Sequence, residues 1–361
     1  MTAPFDENWL FASILLAAPL LYAAVGELVS QRTGVLNVGL EGMMLTGAFF
    51  SYVVVWQTGS FTLGVLMGIA SGALAGTIMA VLAVSLRADQ IIVGVGLNIL
   101  AFGVTAFFVN ELFPAGEVPV IFRPGRIAIP LLSDIPGIGK ALFDQTPLVY
   151  IAYLAVPLVS FVLFRTRFGL SIRATGEMPA AVDTAGVSVG FVRWVGVHTA
   201  GALAGLGGAL LAIGELGFFR EGITAGRGFL AFSAVIFGGW RPLGVLAACW
   251  IFGAADALQL RLQAEATVPR TVWLVVLLAV AVYLAIVVRA TRPARRPAQL
   301  TFGAMVLAAA LTLFIIEPSW SFPSQVWLAL PFVLTLLALA GFGRRGQAPR
   351  AWGVPYDRLR G

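Results

Sequence analysis

The chain is dominated by uninterrupted apolar runs of about 20 residues, each long enough to cross a hydrocarbon core of roughly 30 Å as an α-helix. Nothing else restricts its fold as much, because in lipid only helices and closed barrels satisfy every backbone N–H and C=O. The runs fall at approximately 9–30, 34–56, 61–86, 91–113, 147–164, 191–215, 229–239 with 243–260, 271–289, 300–316 and 324–342. The expected fold class is all-α, a polytopic membrane protein of about ten transmembrane helices. The stretch 229–260 is interrupted by Gly238-Gly239-Trp240-Arg241-Pro242, turn chemistry with a charge, and is read as a broken or re-entrant pair of helices meeting at one membrane face. A composition of 59% hydrophobic and 11% charged residues, with a mean hydropathy of +0.94, leaves no room for a soluble domain.

Lysine and arginine set the orientation. With the N-terminus outside, 16 of the 23 basic residues fall at cytoplasmic ends, and the C-terminus is also cytoplasmic. The first run lacks a preceding basic region and carries Asp6 and Glu7 instead, so it is read as a retained helix and not as a cleaved signal. Residues 1–290 form the expected transmembrane core. Within it, 114–146 is an outer loop rich in Pro and Gly, and 165–190 is a cytoplasmic loop. Two additional helices occupy 291–343, and 344–361 is a basic cytoplasmic tail.

The net charge of +6 does not indicate nucleic acid, since the basic residues sit at the ends of apolar runs and not in one patch. The single cysteine, Cys249, excludes a disulfide framework, and it is read as a small buried residue. No metal site is expected, and no catalytic residue. The nearest approach to a phosphate-binding loop is Gly139-Lys140, but Asp134 stands where the first glycine belongs and Ala141 follows the lysine. The chain is not expected to bind or hydrolyse ATP itself.

Polar groups within apolar runs carry the information, because each costs a few kcal/mol at mid-bilayer unless it faces protein or water. The segment Gly34-Val-Leu-Asn37-Val-Gly39-Leu-Glu41-Gly42 places an amide and a carboxylate among glycines. Two readings stand: the lining of a solute pathway, or a buried cap and interhelical hydrogen bond. Asn98, in mid-helix, either joins helices or touches a polar solute. Phe107 or Phe108 has two readings as well, an aromatic wall on which a purine stacks or a ring that packs a helix. His198 reads as a proton relay or as an interhelical hydrogen bond, and Glu215 and Asp256 are placed near helix ends within reach of water. The glycine series Gly201, Gly205, Gly207 and Gly208 is read as close helix packing. In 165–190, Pro179 suits the first position of a short helix and Gly186 the position after its end. Such a helix is too short to be stable alone, so it must dock on something.

Three segments together, GVLNVGLEGMMLTGAF at 34–49, DQIIVGVGLNILAFGVTAF at 89–107 and GLSIRATGEMPAAVDTAGVSV at 169–189, resemble the permease subunits of ATP-binding-cassette importers for ribose, branched-chain amino acids and nucleosides. The first two are most similar to the shorter permease of nucleoside-type importers, as is the ending Trp352-Gly-Val-Pro-Tyr356-Asp. The resemblance implies a bacterial inner-membrane protein with no cofactor of its own. ATP would be bound by a separate cytoplasmic ATPase subunit. A second, longer permease would complete the pathway, and an extracytoplasmic binding protein or lipoprotein would deliver the solute. It further implies that 169–189 is the coupling element, with Arg173, Glu177, Pro179, Asp183 and Gly186 in or beside its helix. Asn37, Glu41, Asn98 and Phe107 are the candidate pathway residues. The competing expectation is a secondary transporter driven by an ion gradient through Glu41 or His198; the same importer type carrying a simple sugar or branched-chain amino acid is the other.

Overall fold

A computed structural model describes residues 5–114, 116–264, 296–316 and 348–357, with isolated positions between 265 and 347. Among them six helices are long and apolar enough to cross a membrane, and a seventh apolar helix is too short to do so. The count of ten is not reached: the runs expected at 271–289 and 324–342 lie outside the described residues, and the helices found for 34–56 and 300–316 are not among the six. The chain is mostly helical, and its only sheet among the described residues is a two-residue antiparallel pair, β1 (Ile127–Ala128) with β2 (Asp144–Gln145), in the 114–146 stretch. This loop also holds the short α5 (Gly139–Phe143) and is tied to the bundle by Tyr52, whose hydroxyl donates to Pro119 O.

Helix α1 (Glu7–Arg32) is the axis of the bundle. It is buried on every side from Ala17 to Gln31, as expected of a helix that is apolar all round. Asp6 caps it by accepting from the Trp9 N–H, which holds the Asp6 carboxyl below its usual range; an ion pair with Arg261 adds to this. Against α1 pack α6 (Pro147–Arg165), α9 (Val189–Ala209, continued by a π-turn Leu210–Leu216), α10 (Arg227–Phe237) and α11 (Pro242–Ala264). Helix α2 (Leu40–Thr58) packs on α9, α3 (Phe61–Ala80, continued by a π-turn Val81–Ser85) packs on α9 and α2, and α4 (Gln90–Leu112) packs on α2. A further helix covers Arg296–Ile316. The Asp6–Arg261 pair marks one end of the bundle. The other is marked by the bond from the Arg32 guanidinium to Trp240 O, in the α10–α11 turn, at 2.5 Å.

The glycine series of α9 packs as expected. Gly201 and Gly205 face a matching series on α3, where Gly64, Gly68, Gly72 and Gly76 recur every fourth residue, while Gly207 lies on Pro19 of α1 and Gly208 on Met44 of α2. A Cβ on Gly205 would overlap Gly68 O and the Gly72 backbone, so neither helix tolerates a side chain at the crossing. The region 165–190 holds two helices and not one: α7 (Arg167–Glu177), capped by Thr166, and α8 (Pro179–Thr184). Pro179 does open the second, and Gly186, at φ +83°, follows its end.

Candidate functional site

Two helices begin inside the bundle, and the site is built where they meet. The sequence suggests one helix over 34–56, but Gly34 adopts φ +90° and helix α2 starts only at Leu40. Residues 35–39 therefore climb beside α4 as irregular backbone. Leu36 N–H donates to Gln90 Oε1 at 2.7 Å, and higher up Gly42 N–H donates to Asn98 Oδ1 at 2.8 Å while Asn98 Nδ2 donates to Val38 O at 3.0 Å. Eight residues of α4 separate Gln90 from Asn98, a climb of about 12 Å. The start of α2 has no side-chain cap of its own, and Asn98 supplies one from the neighbouring helix.

Helix α10 is the second case. After the π-turn that ends α9, residues 217–226 turn back into the bundle with Phe219, Ile223 and Thr224 buried. Only then does α10 begin, and its 11 residues span about 16 Å, half a membrane. Its own N-cap is Gly226, which has no side chain to offer. The Glu41 carboxylate takes that place: Oε1 accepts from Thr224 Oγ1 at 2.6 Å and from Gly226 N–H at 2.8 Å, and Oε2 accepts from Gly228 N–H at 2.6 Å. The arrangement satisfies donors at a helix start that has no side-chain cap of its own and sets a negative charge against the positive end of a helix. Glu41 thus makes the cap and interhelical hydrogen bonds of one of its two readings.

Between these two helix starts lies a cavity of about 420 Å³, lined by Glu41, Gly42, Leu45, Asn98, Ile99, Phe102 and the 222–226 loop. Glu41 and Asn98 are thus brought together. Asn37 is fully buried one turn below, its Nδ2 toward Met43 Sδ at 3.5 Å, and it does not line the cavity. Phe107 does not line it either. It stands nine residues beyond Asn98, half a turn out of phase on a helix of 3.6 residues per turn, and is 62% exposed. Phe108 packs on Phe49 and Phe50. The aromatic ring at the cavity is Phe102, 50% exposed, four residues after Asn98 on the same face. That spacing was readable in the sequence.

The ionisable residues of the gradient-driven alternative lie apart. His198 sits on α9 with Thr77 Oγ1 at 3.4 Å and Trp194 stacked on its ring, away from Glu41. Asp256 is not near a helix end: it is 8% exposed, about two turns inside α11, and pairs with Arg227 at 3.2 Å. Also unanticipated is Glu27, fully buried in α1, which accepts from Gln31 Nε2 at 3.0 Å; Gln31 in turn accepts from Trp240 Nε1 at 2.8 Å. Of the 169–189 residues, Arg173 lies over the Phe164 ring, Glu177 and Gly186 are exposed, and Asp183 accepts from Tyr356 Oη at 3.2 Å.

The profile of the branched-chain amino acid transport system permease component matches residues 9–287. This chain belongs to that permease family. The guanosine ABC transporter permease protein NupQ of Bacillus subtilis is 35% identical to the permease over 353 residues, covering 96% of this chain and 95% of its own. The nucleoside ABC transporter permease protein NupC of Lactococcus lactis is 40% identical over 252 residues, 68% of this chain and 80% of its own. A putative glucose ABC transporter permease of Haloferax volcanii is 42% identical over 266 residues, 72% and 79% of the two chains. No solved structure matches the permease. The resemblance drawn from 34–49, 89–107 and 169–189 is thereby borne out, as is the multi-pass membrane class.

Proposed function

We propose that this permease is the transmembrane subunit of an ATP-driven importer that carries a nucleoside-like solute into the cytoplasm, with ATP bound and hydrolysed by a separate partner chain. The observation that carries the reading is the cavity between the two helix starts. Its 420 Å³ falls in the roughly 300–1,000 Å³ range of small-molecule sites. The half-exposed Phe102 ring offers a face on which a base can stack, and Asn98 keeps two of its four hydrogen-bonding positions for a polar edge. Glu41, with three of its four acceptor positions taken by the protein, holds the wall in shape and leaves the solute mainly to its neighbours.

The cavity opens beside Ile99 and Phe102, apolar and exposed in the single chain, which supports a second, longer permease closing it. The α7–α8 pair supports the coupling role: Glu177 and Gly186 are free to meet an ATPase, Pro179 opens the short helix, Asp183 is held, and Arg173 anchors α7 to α6. An extracytoplasmic binding protein or lipoprotein would deliver solute at the Asp6 end. On this reading the N-terminus is outside and the C-terminus in the cytoplasm of a bacterial inner membrane, an orientation that the distribution of the basic residues supports. The names of the relatives favour a nucleoside over glucose or a branched-chain amino acid.

The test is radiolabelled uptake of nucleosides, ribose, glucose and branched-chain amino acids in cells with and without this chain. Nucleoside uptake lost on ATP depletion alone is the expected result. Uptake that survives depletion and stops when the proton gradient collapses overturns the importer reading; ATP-dependent uptake of glucose alone overturns the solute.

A further inference from the structure

We propose that residues 348–357 form a strap through which movement of α7–α8 reaches the cavity, with Trp352, Tyr356 and Arg193 as positioning residues; the inference rests on the importer reading. The strap has no core of its own and is held by discrete links. Its Ala351 N–H donates to Gly176 O in α7 at 2.8 Å, and Tyr356 Oη donates to Asp183 Oδ2 in α8 at 3.2 Å. On the opposite side Gly353 N–H donates to Gly34 O at 2.9 Å. Gly34 suits this junction twice over: its φ of +90° disfavours any side chain, and a Cβ there would come within 3.0 Å of Ala351 O. Arg193, buried at the start of α9, donates to Val354 O at 2.9 Å, and Arg87 pairs with Asp357 at 3.0 Å.

Trp352 supplies the apolar contact. Its ring stands edge-on to Trp240 at 5.7 Å and stacks with Phe232 of α10 at 6.2 Å. Both contacts lead inward. From Gly34 the chain reaches Glu41 in seven residues, and Phe232 lies on the half-helix whose N-terminus Glu41 caps. The strap therefore touches the coupling helices on one side and, on the other, the two segments whose ends form the cavity wall. A cavity of about 590 Å³ separates Val354 and Pro355 from Pro179 and Ala180, so the strap is linked to α8 at Asp183 and is not packed along it. On this proposal movement of α8 reaches the strap through the Asp183 link and passes to α10 through the packed Trp352 ring, a contact with few intermediate arrangements.

The complete importer, with ATPase, second permease and binding protein, is reconstituted in vesicles, and guanosine uptake and ATP hydrolysis are measured on the same preparation. In Trp352→Ala, hydrolysis persists while uptake per ATP falls by about fivefold or more, the lower end of typical coupling between sites. Trp352→Phe, which keeps a ring against Phe232 and Trp240, restores most of it. Tyr356→Phe removes only the hydroxyl and decides the matter if Trp352→Ala does not assemble; its uptake per ATP falls as well. Unchanged uptake per ATP in these variants, or uptake and hydrolysis falling in equal proportion, overturns the strap alone. Absence of ATP-dependent uptake in the wild-type complex overturns the importer reading and the strap with it.

Discussion

Replacing Glu41 by glutamine separates a cap from a solute ligand. In the wild type both carboxylate oxygens accept, Oε1 from Thr224 and Gly226 and Oε2 from Gly228. Glutamine keeps one oxygen for the first two donors but sets an amide NH₂ against the Gly228 N–H. Leaving that donor unsatisfied costs about 1–3 kcal/mol, and losing the negative charge at the N-terminus of α10 costs roughly 0.3–2 kcal/mol more. The expected destabilisation is therefore about 1–5 kcal/mol. With a shift of roughly 2 °C per kcal/mol for a chain of this size, Tm falls by about 3–10 °C in the absence of solute. Glu41→Ala exposes all three donors and falls further. The assay is thermal unfolding of the purified permease in detergent, paired with solute binding at a temperature where both proteins are folded. A Glu41→Gln variant that melts like the wild type and binds solute weakly would refute the cap and make the carboxylate a ligand.

Phe102→Ala raises the KM for nucleoside uptake about tenfold, the cost of losing one stacked ring, whereas Phe107→Ala leaves it unchanged; equal effects would remove Phe102 from the site. Gly205→Ala forces α9 away from α3 and lowers stability by about 1–3 kcal/mol, read as a lower Tm, while the same change at Gly96, which has open space around its Cα, has little effect through packing. Glu177→Gln, at an exposed position, leaves folding and Tm unchanged but abolishes ATP-driven uptake, and normal uptake in that variant counts against the coupling role of α7–α8.

The long helices were legible because an apolar run of 20 residues has one stable form in lipid, and their positions in the sequence reading agree with α1, α3, α4, α6 and α9. What failed was local. Residues 34–39 look as apolar as a helix, yet Gly34 turns the chain and Asn98 and Gln90 take up its backbone groups, so the helix starts six residues later. The α7 helix escaped notice because its pattern is amphipathic and short, unlike a span. Partners distant in sequence could not be read at all: Glu41 meets Gly226, 185 residues away, and Asp183 meets Tyr356, 173 residues away.

These failures share a cause that bears on function. A transmembrane helix satisfies its own backbone, so sequence alone places it, but a helix that starts at mid-depth exposes N–H groups that another element must accept. Asn98 and Glu41 stood out in the sequence because polar atoms inside apolar runs are costly, and in the structure they satisfy two helix starts that lack side-chain caps of their own. The polar residues at the cavity therefore do their first work on the protein's own backbone. If α10 or the 34–39 segment shifts during transport, the Glu41 and Asn98 hydrogen bonds must move with it or be exchanged for bonds to solute. The cavity is thus lined by the groups that hold its two helix starts in place, and its shape cannot change without changing them.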